Sequence, residues 1–117
     1  MISDLMPLSE SDLFAEIGRE LERDQMQAFP QSVELLRRRG ERFFASKLAE
    51  VRASICPNKT LRTLAAGGVT IDLAQAVLAT LETSTLGTAA TPIAVLVCRQ
   101  GLTSLCNESW SSQEKAK

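Results

Sequence analysis

The sequence predicts an all-α protein, a compact bundle of four or five helices, and three observations support this prediction. Apolar residues recur at helical spacing in successive segments of the chain. Residue types that favour helix ends stand where those segments should begin and stop. The stretch IAVLVC at 93–98 also suits a β-strand, but no second strand-like stretch is present to pair with it. We therefore assign this stretch to a helix.

The predicted helices form one domain over residues 1–106. They cover about 10–25, 31–55, 59–66, 71–84 and 92–106. Ser9 or Ser11 should open the first helix and Pro30 with Ser32 the second, while the later helices have Asn58, Thr70 and Thr91 as expected N-caps. Residues 107–117 are polar and lack periodicity, so we expect a disordered C-terminal tail.

Glycines stand beside or within the apolar faces of the first two predicted helices. Gly18 widens the face of the first helix, and its missing side chain permits another helix to pack closely. Gly40 marks either a kink or a tight crossing in the second helix. The apolar stripe of that second helix comprises Val33, Leu36, Gly40, Phe43, Phe44, Leu48, Val51 and Ile55.

Lys47 is a charged residue that falls inside this stripe, between Phe43 and Val51. Its methylene stem can be buried while the ammonium group reaches water. The alternative is an ion pair with Asp72 or Glu82 across a helix interface. The sequence leaves both possibilities open.

Composition argues against several classes of function. The chain has a formal net charge of −1, so no global field attracts nucleic acid or an anionic membrane. It contains no His and no Tyr, which removes a frequent general base and a frequent metal ligand. Asp12, Glu16 and Glu20 form a column at four-residue spacing, which is typical of an exposed helix face. We expect no enzymatic activity, no cofactor and no metal site.

The three cysteines are predicted to be reduced. Cys98 and Cys106 lie two turns apart on one predicted helix, so they are too distant for a disulfide while that helix persists. The acidic start of the chain does not resemble a secretory signal. We therefore expect a cytoplasmic protein in which Cys56, Cys98 and Cys106 pack as small apolar groups. A redox role for Cys56 or Cys106 is a weaker alternative.

The run RRRGER places several arginines on the polar side of the second predicted helix. Glu34 precedes Arg38 by four residues, which favours an ion pair between them. The simplest interpretation is a solvated face with local pairs. The functional alternatives are a docking patch for an acidic protein surface and a nucleic-acid contact that also includes Arg52. The candidate contact residues are Arg38, Arg39 and Arg42.

The last predicted helix carries more apolar surface than one contact face needs. Ala94, Cys98 and Leu102 supply one face, yet Ile93, Leu96 and Val97 lie on its other sides. A helix that is apolar all round is either enclosed by its own chain or covered by a second one. We name Ile93, Leu96 and Val97 as candidate partner contacts and favour enclosure.

These observations predict a non-enzymatic helical module for protein–protein interaction. It would act as an adaptor, an inhibitor or a regulatory subunit of a larger complex, as small bacterial accessory and defence-associated proteins do. We expect a protein partner or a homo-oligomer. The alternatives are a nucleic-acid-binding protein that uses the arginine-rich face, and a membrane-active protein that inserts residues 69–106. Charge balance argues against the first, and Asp72, Gln75 and Glu82 argue against the second.

Overall fold

The computed structural model describes residues 2–25, 32–82 and 86–107. Within these ranges every regular element is a helix, which confirms the predicted all-α class. One short 3₁₀ turn, Gly87–Ala89, leads into the sixth α-helix. The α-helices are α1 (Ile2–Leu5), α2 (Glu10–Gln25), α3 (Val33–Ile55), α4 (Lys59–Ala65), α5 (Ile71–Leu81), α6 (Ala90–Gln100) and α7 (Leu102–Leu105).

Side-chain caps explain where four of these helices begin. In each case the side-chain oxygen accepts a hydrogen bond from the backbone N–H three residues later, which satisfies a donor that has no intrahelical acceptor. The pairs are Ser9 with Asp12 (3.1 Å), Ser32 with Leu35 (3.2 Å), Asn58 with Leu61 (3.1 Å) and Thr70 with Leu73 (3.1 Å).

Two predicted details were wrong, and one short helix was not predicted. The helix expected at 92–106 breaks at Gly101, whose φ of 99° lies in the left-handed region that glycine adopts without strain. Thr91 lies inside α6 instead of capping it, because the preceding 3₁₀ turn runs directly into the helix. Helix α1 was not predicted, since four residues are too few to show periodicity.

Parts of the predicted elements fall outside the described residues. These are residue 31 of the second predicted helix, residues 83–84 of the fourth, and all of the expected tail except Asn107.

Helix α6 lies at the centre of the hydrophobic core. Residues 92–98 are buried without interruption, and α1, α2, α5 and α7 pack against this helix. The candidate partner contacts Ile93, Leu96 and Val97 are respectively 0%, 0% and 1% exposed. Of the two alternatives for this helix, the structure therefore shows enclosure by its own chain. Among the described residues, no helix has both the length and the apolar character needed to cross a bilayer.

Helices α2 and α3 form a closely packed antiparallel pair. A Cβ atom added to Gly18 would overlap the backbone carbonyl of Leu36, and one added to Gly40 would overlap the carbonyl of Phe14. Phe14 also packs edge-on against Phe44, with ring centroids 6.0 Å apart. Both glycines therefore allow close approach of the helix backbones, as the sequence predicted for Gly18 and offered as one alternative for Gly40.

Gly40→Ala should destabilise the protein by about 2–3 kcal/mol, because the overlap outweighs the roughly 1 kcal/mol of helix propensity that alanine gains. Urea unfolding measured by circular dichroism tests this. Gly67→Ala is the matched control, since its added Cβ would meet only Leu64 O, at 3.4 Å. Equal stability of the two variants would contradict the close packing of α2 and α3.

Candidate docking surface

The first two turns of α3 lie largely outside the main core. Between Val33 and Arg39, only Leu36 is buried, and it is not part of the main core cluster. Leu35 is a large apolar side chain, yet it is 52% exposed. This end of α3 therefore exposes apolar surface, at Val33 and Leu35, in the part of the chain that the structure describes.

A cleft of about 350 Å³ lies at this end. We call it the basic cleft; it is lined by Glu22, Leu35, Arg38, Arg39 and Arg42. The four α3 residues follow one another at i, i+3, i+4 and i+7, which places them along one side of the helix over about two turns. The structure thus brings together the three arginines that the sequence singled out.

Arg39 is held by a carboxylate from the other helix of the pair. Its guanidinium group contacts Glu22 Oε1 on α2. The Glu22 side chain is only 12% exposed, and neither of its oxygens accepts a hydrogen bond of regular geometry from a described residue. The charge of Arg39 compensates the burial of this carboxylate, so Glu22 fixes the position of Arg39 at the edge of the cleft.

Arg38 and Arg42 remain available to solvent. The Arg38 side chain is 64% exposed, and its Nε lies 3.6 Å from Glu34 Oε1, which confirms the predicted pair. Exposed pairs of this kind contribute little free energy, so Glu34 does not hold Arg38 firmly. Arg42 is exposed, and no carboxylate of the described ranges lies within ion-pair distance of it.

A second cleft, of about 430 Å³, carries the opposite charge. We call it the acidic cleft; it is lined by Asp4, Leu5, Glu16, Glu20, Thr88, Thr91 and Pro92. Glu16 and Glu20 belong to the acidic column that the sequence showed on α2, and Glu16 also pairs with Arg19. In the described ranges, no group of three or more carboxylates and thiols is arranged to hold a metal ion.

Lys47 lies near two partners on its own helix. Its Nζ is 3.7 Å from Glu50 Oε2 and 5.8 Å from the centroid of the Phe43 ring. The side chain is 30% exposed, so the stem is partly buried while the ammonium group is not fully desolvated. This geometry agrees with the snorkelling alternative.

The prediction of three reduced cysteines was wrong for two of them. Cys56 and Cys106 form a disulfide, with their Cα atoms 5.4 Å apart, that joins the end of α3 to the end of α7. Sequence spacing did not reveal this bond, because the two residues are 50 positions apart and meet only in the folded chain. Cys98 is a free buried thiol, and burial raises its pKa to about 12, so it is unreactive near neutral pH.

Comparisons of the chain with protein families, curated proteins and solved structures found no significant match.

Proposed function

We propose that this protein is a non-enzymatic helical interaction module, acting as an adaptor, inhibitor or regulatory subunit, and that it binds an acidic surface of a protein partner through the basic cleft. The observation that carries the proposal is the arrangement of Leu35, Arg38, Arg39 and Arg42 around one cleft outside the core. Arginine beside exposed apolar surface is typical of protein interfaces.

The lining of the basic cleft favours a protein over a nucleic acid. None of the described residues that line the cleft is aromatic, so they offer no stacking platform for bases.

The cellular location stays a prediction. The sequence favoured the cytoplasm, whereas a disulfide such as Cys56–Cys106 persists mainly in oxidising compartments. Free thiols can be alkylated at the moment the cells are lysed, and mass spectrometry then shows whether Cys56 and Cys106 were reduced or disulfide-bonded in the cell. The result would decide between a reducing and an oxidising location.

Affinity capture with mass spectrometry tests the proposed function. We expect the proteins captured by the wild type to be absent when Arg38→Glu/Arg42→Glu is used instead. We also expect these proteins to elute from the wild type as the salt concentration is raised. Arg52→Glu/Lys59→Glu is the matched control, since it makes the same change of charge at exposed residues away from the cleft. The proposal fails if the charge-reversed variant retains the same proteins, or if only nucleic acid is captured.

A further inference from the structure

The α3 side of the basic cleft combines one apolar residue with three cations. Leu35, Arg38, Arg39 and Arg42 fall within an arc of about 100° on one side of the helix. Leu35 stands first along the helix axis, and Arg38 and Arg42 follow it after about 4.5 Å and about 10 Å of helical rise. The cleft therefore presents an apolar contact at one end and positive charge along the rest.

Two of these residues are held in place within the chain itself. Leu35 lies in the first turn of α3, where its backbone N–H donates a hydrogen bond to the Ser32 hydroxyl (3.2 Å). Arg39 is held through its contact with Glu22 on α2. Contact groups that are already positioned lose less conformational entropy on binding, so this end of the cleft is preorganised for a ligand.

Leu35 offers a narrow apolar contact instead of a broad apolar face. Val33 is the other large apolar residue of this end of α3 that is more than half exposed. It stands two residues before Leu35, which places it about 160° around the helix, and it does not line the cleft. One apolar side chain of a partner is therefore enough to cover Leu35.

The cations beside Leu35 are available to carboxylates of a partner. Arg42 is exposed, and the described ranges place no carboxylate within ion-pair distance of it. The Arg38 side chain is 64% exposed, so solvent screens its pair with Glu34 and a partner carboxylate can replace Glu34 at little cost. A ligand that lies along α3 can thus meet Leu35, Arg38 and Arg42 in that order.

We propose, building on the function proposed above, that the partner segment in the basic cleft carries one large apolar residue at the end of a pair of carboxylates. The carboxylates meet Arg38 and Arg42, and the apolar residue packs on Leu35. A segment with acidic residues alone leaves Leu35 in water, and a segment with apolar residues alone leaves the arginines without counter-charge. The apolar residue therefore distinguishes the cognate segment from other acidic segments.

Fluorescence anisotropy with labelled helical peptides tests this proposal, because a helical ligand has the same rise per residue as α3. The leucine peptide has one Leu, with Glu three and seven residues later, in a helix of alanine and glutamine. The alanine peptide has Ala in place of that Leu, and the reversed sequences cover the opposite chain direction. We expect the leucine peptide to bind the wild type about fivefold more tightly than the alanine peptide, because it covers the exposed part of Leu35.

Variants of the two exposed apolar residues show whether Leu35 causes this preference. Leu35→Ser should bind the leucine and alanine peptides equally. Val33→Ser is the matched control and should keep the fivefold preference, since Val33 lies outside the cleft. Circular dichroism of each variant establishes that it is folded. Equal binding of the two peptides to the wild type in both chain directions, or a preference that persists in Leu35→Ser, would overturn the proposal.

A labelled hexaglutamate peptide separates this proposal from the function on which it rests, since it carries carboxylates without an apolar side chain. If hexaglutamate binds the wild type but not Arg38→Glu/Arg42→Glu, while the leucine and alanine peptides bind equally, the basic cleft is an acidic-partner site and only the apolar contact fails. If Arg38→Glu/Arg42→Glu binds every peptide as tightly as the wild type does, the proposed function fails and this proposal fails with it.

Discussion

Leu96→Asp should leave the protein unfolded. Leu96 is 0% exposed at the centre of α6, where an ionised carboxylate would lose its hydration without gaining a partner. The loss of packing adds to this cost, and the sum exceeds about 5 kcal/mol, which is comparable to the whole stability of a small domain. Val97→Asp should have the same effect, because Val97 is 1% exposed.

Circular dichroism and one-dimensional proton NMR measure this result directly. Gln100→Asp is the control, since Gln100 is exposed at the end of the same helix and the change should cost less than about 1 kcal/mol. A Leu96→Asp variant that keeps its helical spectrum and its dispersed NMR lines would show that α6 is a surface helix. The enclosed core described above would then be wrong.

Removing the Cys56–Cys106 disulfide should cost about 4 kcal/mol of unfolding free energy, as expected from the entropy of closing a loop of this length. The bond links residues 50 positions apart, so it restricts a large part of the unfolded chain. It also holds α7 and the end of α3 together at the edge of the core. The variant Cys56→Ala/Cys106→Ala should therefore unfold at a much lower urea concentration than the wild type.

Reductant and thiol counting are the controls for this prediction. The wild type in reductant should approach the stability of the variant, whereas reductant should not change the variant itself. Alkylation without reductant should label no thiol in the folded protein and only Cys98 in the unfolded protein, since Cys98 is buried and free. Labelling of three thiols in the unfolded, non-reduced protein would contradict the disulfide.

Local patterns predicted much of the fold because they act within a few residues. The caps at Asn58 and Thr70 and the apolar stripe of α3 depend on neighbours in sequence. The structure confirms the caps and buries most of the stripe, although Val33 at its start is 58% exposed. Gly18 and Gly40 were recognisable because glycine is unfavourable inside a helix unless something requires it. Gly101 was missed as a break, because the apolar periodicity continues through Leu102 and Leu105 although the φ of Gly101 is 99°.

The candidate site was predicted only in part, because long-range contacts create it. The sequence singled out Arg38, Arg39 and Arg42 and the Glu34–Arg38 pair, which depend on spacing along one helix. It gave no signal for Glu22, because the contact between Glu22 on α2 and Arg39 on α3 exists only once the two helices pack together. The same holds for the disulfide, whose two cysteines meet through tertiary structure alone.

The apolar candidates could not be decided from the sequence for a related reason. A helix that is apolar all round has the same pattern whether its own chain or a partner covers it. In the structure, α1, α2, α5 and α7 pack around α6, so this chain itself covers Ile93, Leu96 and Val97. The docking surface that we propose instead is charged and lies mainly on α3.

NMR titration of the ¹⁵N-labelled wild type with the hexaglutamate peptide tests the central claim most directly. We expect the largest chemical-shift changes at Leu35, Arg38 and Arg42, with the core amides of α6 unaffected. Salt should reduce the changes, because the contacts are ionic and exposed. Equal changes at the remote cations Arg52 and Lys59 would show general attraction to positive charge, and would contradict a docking surface at the basic cleft.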